Sequence, residues 1–254
     1  MKSSITTQLK SFLNRGLTPT LLAAAIMSFG ASSARAGQGN ADNPGILPPQ
    51  SHPYGKSYGQ WTAAYWQWSL SIPADRNPLT DTTGVFAGEG QGGPVWFAPG
   101  TLGGSAERSY SVPAGKAVFV PVFIWIFGAA VFDCEPTVPG VPCVVCDLQV
   151  LAATNTAAAE ILDVSIDGVP VKNPRQYEAA SPGPFSVVYP ENSIVGEPAG
   201  TYFPEVTDGY WLMLAPLAKG THEIRVHVNA PVTIYGPLEF DVVHHITVVS
   251  PSHN

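Results

Sequence analysis

The chain has 254 residues, of which 25 are Gly, 25 are Pro and only 12% are charged, while 45% are apolar. Low charge combined with many aromatics excludes a disordered chain, and the Gly and Pro content excludes long helical bundles and coiled coils. A formal net charge of −7 excludes the basic footprint of a nucleic-acid-binding protein.

Residues 1–36 read as a signal peptide. Lys2, Lys10 and Arg15 form a positive n-region, residues 17–29 a short apolar run, and Ala34-Arg35-Ala36 a small-residue cleavage site. The run contains Pro19 and falls short of the roughly 20 residues a membrane span requires. A secreted or periplasmic protein cleaved after Ala36 is therefore expected. Cleavage removes Lys2, Lys10, Arg15 and Arg35 but no acidic side chain, so the mature chain is more acidic still. That balance suits neither nucleic acid nor an anionic membrane surface. No later segment reads as a membrane span, because the apolar stretch at 117–132 is interrupted by Pro121 and Gly128. Residues 37–52, rich in Gly, Asn and Pro, read as a flexible tail. Residues 53–254 suffice for a single β-sandwich domain.

One helix stands out. Ser57 followed by Gln60 is a capping-box pattern. Tyr58, Trp61, Tyr65, Trp68 and Ile72 recur at spacings of three and four, with Ala63, Trp66 and Leu70 forming a second apolar face. Gln60, Ala64, Gln67 and Ser71 make a narrow polar stripe, and Pro73 ends the element. A helix so apolar around its circumference should be mostly buried against a sheet.

Beyond residue 84 the signals are almost entirely β. Strands are expected over 95–97, 109–112, 117–127, 161–166, 169–172, 210–214, 221–228 and 240–249, with turns at Gly and Pro clusters. Asp167-Gly168 is a strong hairpin signal, because both turn positions tolerate positive φ. Asp208-Gly209 and Lys219-Gly220 read as further turns. Residues 147–160 have the composition of a second short helix. The expected architecture is all-β, an antiparallel sandwich of jelly-roll type with one Trp-rich helix on its N-terminal side.

Cys134, Cys143 and Cys146 lie close together in one stretch. In an exported protein they point to one structural disulfide, with its pairing left open. Cys143-Val-Val-Cys146 also has C-x-x-C spacing, but the βαβ context of a thioredoxin-like redox motif is missing.

Four segments resemble a family of secreted bacterial proteins that has a Trp-rich helix, a β-rich body and no assigned activity. They are Tyr58-Gly-Gln-Trp61 through Trp68, Gly90-Gln91 through Trp96-Phe97, Arg108 through Lys116 to Pro121, and Asp208-Gly-Tyr-Trp211 through Gly220-Thr-His222-Glu-Ile224. The resemblance implies export and a β-rich fold, and supplies no mechanism. Its members place cysteines before the Gly-Gln segment and inside the Arg segment. This chain has neither.

Six tryptophans in a low-charge exported protein suggest a ligand surface, since indole faces stack on sugars and apolar groups. Trp61, Trp68 and Trp125 lie on core-type positions. Trp66 and Trp96 read as more open, with Gln91 and Arg108 beside them as polar binding partners. Asp81 and Glu89 flank a Gly-rich loop and are the carboxylates from which a glycoside hydrolase pair could be built; an Arg108–Glu89 ion pair is the plainer reading. His222 and His244 share a strand face by alternation and are candidate metal ligands, although the H-x-H pair of many metal-binding jelly rolls is absent. Nucleophile elbows and phosphate loops are missing, and no cofactor is expected. The leading expectation is a non-catalytic binding or surface-associated module for a saccharide or cell-envelope component. The alternative is an extracellular polysaccharide-active enzyme using the carboxylate pair or a His-bound metal.

Overall fold

Ser57 caps helix α1 (Tyr58–Leu70) as its sequence predicts: its Oγ accepts from the Gln60 N–H, and Gln60 Oε1 accepts from the Ser57 N–H. Both apolar faces of α1 are buried, and Gln60 and Gln67 are exposed. The computed structural model describes residues 43, 45–128 and 145–250, which belong to one compact unit. The expected signal peptide lies outside the described residues. So do Cys134, Cys143 and the side chain of Cys146, and with them the expected disulfide.

Among the described residues nine strands form two sheets. They are β1 (Val95–Phe97), β2 (Ala106–Pro113), β3 (Ala117–Gly128), β4 (Ile161–Ile166), β5 (Val169–Pro170), β6 (Phe185–Tyr189), β7 (Gly200–Leu214), β8 (Gly220–Thr233) and β9 (Gly236–Val249). The first sheet has the order β1-β3-β7-β6 and the second β2-β9-β8-β4-β5. A second helix, α2 (Val145–Ala157), packs against β3 and β7. The described residues are thus mostly β and sandwich-like, with two α-helices among them.

Pairing is mixed, which corrects the expectation of a wholly antiparallel sandwich. β1 runs parallel to β3, and β2 runs parallel to β9. The cause lies in the connections. The chain alternates sheets from β1 to β2 to β3, so the turn at 114–116 bridges two layers instead of closing a hairpin. Two such reversals bring β3 back beside β1 in the same direction. Asp167 and Gly168 do form the expected hairpin, with φ of 50° and 76°.

The first sheet is covered on both faces, by α1 on one and the second sheet on the other. This explains why β3 reads as a continuous apolar run rather than an alternation. On the α1 face, Trp211 stacks on Phe119 with centroids 5.0 Å apart and meets Tyr65 edge-on at 5.1 Å. The second sheet alternates, turning Ile224, Val226, Phe240, Val242 and Ile246 inward. Its outer face carries Arg225–Glu223, His227–Asp241 and His245–Glu107 pairs.

Two segments depart from their composition. Within the expected tail, Ile46 is buried and bridges Leu214, the Leu47 N–H donates to the Met213 carbonyl, and Asn43 bonds Lys172. Asp208-Gly209, expected as a turn, lies inside β7, where Gly209 pairs with Ile124. A Cβ there would sit 2.6 Å from the Phe123 carbonyl oxygen and 2.7 Å from the Ile124 Cα. Only glycine lets the two backbones approach so closely. Gly209→Ala is expected to cost about 2–4 kcal/mol, in the range of severe overpacking, read by urea denaturation; a cost below about 0.5 kcal/mol would refute this account.

Candidate binding cavity

β1 leaves β3 early. The last bond between them is from the Ala98 N–H to the Phe119 carbonyl, and beyond it β3 is paired on its β7 side only, among the described residues. Along this open edge lies a cavity of about 290 Å³. Its walls come from both faces of the first sheet, which only an unpaired strand edge allows. α1 contributes Trp66 and Leu70, β6 Tyr189, β7 Glu205, and β9 with its preceding turn Phe240 and Tyr235; residues 100–103 close one side.

Trp66, Trp125 and Gly100 are held in place. Trp66 Nε1 donates to Thr207 Oγ1 at 2.8 Å, and that hydroxyl donates to the Trp125 carbonyl at 2.6 Å. The Trp125 ring stacks between Phe127 and Tyr235, each 5.9 Å away. The Gly100 N–H donates to the Tyr65 hydroxyl at 2.8 Å, fixing the loop over the cavity. Leu102, Val195 and Tyr235 are exposed apolar side chains that line the cavity, so it reaches the surface through an apolar rim.

Glu205 is the chemically unusual member. It is 2% exposed, and its Oε1 has no hydrogen-bond partner. Burial pushes its carboxyl up to about 7. No Lys, Arg or His lines the cavity among the described residues. Glu205 pairs across the sheet with Gly128, and a Cβ at 128 would lie 2.1 Å from Glu205 Oε1. Glycine at that position is what leaves space for the carboxyl. A perturbed carboxylic acid in an apolar pocket is the pattern of a functional group rather than of a stabilising one.

Compared with family models, curated proteins and solved structures, the chain matches none. The site itself is therefore the guide to function.

The residues singled out from sequence are placed as follows. Trp66 lines the cavity, but it is 5% exposed and its N–H is already used. Trp96, expected to be open, is 7% exposed because it stacks on Tyr110 between the sheets, 6.5 Å away. All six tryptophans are in fact buried, so none forms a surface platform. Gln91 bonds the Phe97 N–H and carbonyl and the Ala87 carbonyl, closing the loop before β1.

Arg108 is fully buried and does not pair with Glu89. Its guanidinium donates to the carbonyls of Asp81 at 2.7 Å, Pro99 at 3.3 Å and Gly100 at 2.8 Å. Glu89 instead reaches Arg76 at 3.7 Å. The Asp81 carboxylate accepts from the Thr83 and Phe86 N–H groups and so closes its own turn. Neither carboxylate lines the cavity.

His222 and His244 do share a face, since His222 pairs with Ile246 and His244 with Ile224. They serve different partners. His222 bonds Asp167 of the β4–β5 turn at 2.8 Å near the start of β8, whereas His244 is buried beside the Tyr110 hydroxyl at 3.2 Å, with burial pushing it down to about 3. Among the described residues no cluster of three or more His, Cys, Asp or Glu is placed to hold a metal. Likewise none of the described helices is long and apolar enough to cross a membrane.

The residues that the sequence does not single out are Glu205 and Tyr189. Glu205 follows Phe203-Pro204 and precedes Val206, so an acid set in an apolar strand is the available signal. The turn reading of Asp208-Gly209 hides it, because that reading starts the strand only at 210.

Proposed function

We propose that this protein is an exported, non-catalytic binding module whose ligand occupies the cavity beside β3. What carries the reading is a single cavity with an apolar rim, lined by Trp66 from one face of the first sheet and Trp125 from the other, into which a buried carboxyl with an unpartnered Oε1 is set. Ligand sites have this composition: mostly apolar walls with a few placed polar groups. A saccharide would ask for many hydrogen-bonding partners. The cavity offers few, and the composition of its walls favours a more apolar envelope component.

The glycosidase alternative requires two carboxyls facing one substrate, and Glu205 is the only Asp or Glu among the described residues lining the cavity. A purely structural envelope protein is the second reading, favoured by the burial of all six tryptophans. The cavity separates the two. Ile124 lines it and is only partly buried, so Ile124→Trp should fill the space with little cost to the fold. Fragment screening by ligand-observed NMR is expected to find apolar binders of the native protein that lose at least tenfold in affinity for Ile124→Trp. Binders that ignore this substitution, or a screen with none, would favour the structural reading.

A further inference from the structure

We propose that the cavity takes an apolar molecule bearing one protonated amine, with the amine at Glu205 and the body of the molecule along the open edge of β3 beside Trp66. The inference rests on the binding-module reading and deepens it. A buried carboxyl with a free Oε1 leaves hydrogen-bonding capacity unused, and a buried acceptor without a donor is costly. An ammonium group supplies up to three donors and the opposite charge. The aromatic side chains on the Glu205 side of the cavity, Trp66 and Tyr189, add attraction for a cation, which is strongest once water is excluded. No basic side chain among the described residues lines the cavity to compete for the carboxyl, and the acidic chain as a whole draws cations.

The surroundings of Glu205 are simple. β3 offers Gly128 and Ile126, and α1 offers Trp66 and Leu70, none of them ionisable. β6 offers the Tyr189 phenol, which faces Glu205 and also feels Glu197 and Tyr202. Tyr189 is itself pushed upward by burial and stays neutral through the pH range of interest. The ionisation state of Glu205 therefore dominates the pH dependence of binding.

An amine needs the ionised carboxylate, whereas a neutral hydrogen-bond acceptor needs the protonated acid. With the free carboxyl near 7, the two ligand classes respond to pH with opposite sign. Raising the pH from 6 to 8 should tighten an amine about tenfold and weaken an acceptor by a similar factor.

The test is calorimetric titration of the full chain with 2-phenylethylamine, 2-phenylethanol and 3-phenylpropionate at pH 6, 7 and 8. At pH 8 the amine is expected to bind at least tenfold more tightly than the alcohol, with the carboxylate weakest, and to tighten from pH 6 to 8. In Glu205→Gln the amine preference and its pH dependence should vanish. Equal binding of alcohol and amine, or amine binding that is flat or weakens with rising pH, overturns the amine inference and leaves the cavity reading in place. Absence of binding by all three probes overturns both. The pH series on the native protein decides the matter without relying on the variant.

Discussion

Replacing Arg108 with alanine is expected to lower stability by about 3–5 kcal/mol, the range for breaking a buried polar network. For a domain of this size that corresponds to a fall in Tm of about 10 °C. Among the described residues Arg108 has no carboxylate partner inside the core. Its fork instead gathers three carbonyls, of Asp81, Pro99 and Gly100, from two segments that form no sheet hydrogen bonds there. Each carbonyl stripped of its donor costs about 1–3 kcal/mol unless water replaces it. Arg108→Lys should recover little, because one ammonium cannot reproduce a planar fork aimed at separate carbonyls. Arg108→Met keeps volume but supplies no donor, and should fall between alanine and the native protein. Urea denaturation of the three variants checks this ordering. A loss below about 1 kcal/mol for alanine would mean that the carbonyls find other donors.

The same contact links stability to the site. Gly100 receives one Arg108 bond and gives its own N–H to Tyr65, and it begins the loop that walls the cavity. Composition places Arg108 at the ligand, but the fold makes it a positioning residue that holds the loop from beneath.

What can be read from the sequence follows from how local each signal is. α1 is legible because its cap and its stripe are both encoded between Ser57 and Ile72. The Asp167-Gly168 hairpin is legible because the backbone there needs positive φ at two adjacent positions. Signals that depend on distant partners fail. Nothing near Val95 announces that β1 will lie parallel to the strand beginning at Ala117, since that depends on two sheet-switching turns. Gly209 looks like a turn glycine, yet it answers to the backbone of Phe123 and Ile124 in β3, far away along the chain. The strand at 95–97 is legible, but Trp96 reads as open, since its burial depends on stacking on Tyr110 of β2 in the other sheet. The cavity is the least legible feature, because it exists where β1 stops pairing, and an unpaired edge has no residue code of its own.

Two buried carboxyls and one buried histidine should give the protein an unusual stability profile. Glu205 is raised from 4.5 to about 7 and Asp208 from 3.8 to about 6, in both cases chiefly by burial; Glu178 adds to the second. Their folded forms hold protons that the unfolded chain releases first. The stability they allow is complete below about 4 and is lost as pH rises through 6 and 7. At about 1.36 kcal/mol per unit, each accounts for at most about 3 kcal/mol. His244 works in the opposite direction. Its folded value of about 3 lies below its ordinary 6.5, so its contribution is complete above 6.5 and is lost as pH falls toward 3. Between about 4.5 and 6 the two falling carboxyl contributions outweigh the one rising histidine contribution, so stability drops by about 1.4 kcal/mol per pH unit, and the profile levels off only between about 6 and 6.5. Above 6.5 only the tail of the Glu205 titration should still be falling.

Glu205→Gln removes the ionisation and keeps the shape. It is expected to raise stability by about 2–3 kcal/mol at pH 8, to leave it nearly unchanged at pH 4.5, and to flatten the curve between 6 and 8. Denaturant titrations at those pH values test it. An equal gain at both extremes would trace the effect to packing, and no gain at pH 8 would mean that the carboxylate is solvated after all. If the gain appears only where the group is charged, the chain carries a destabilising acid in the cavity wall that glutamine could replace without cost to the fold. A group that weakens the fold at neutral pH needs a reason outside stability, and the open cavity it faces supplies one.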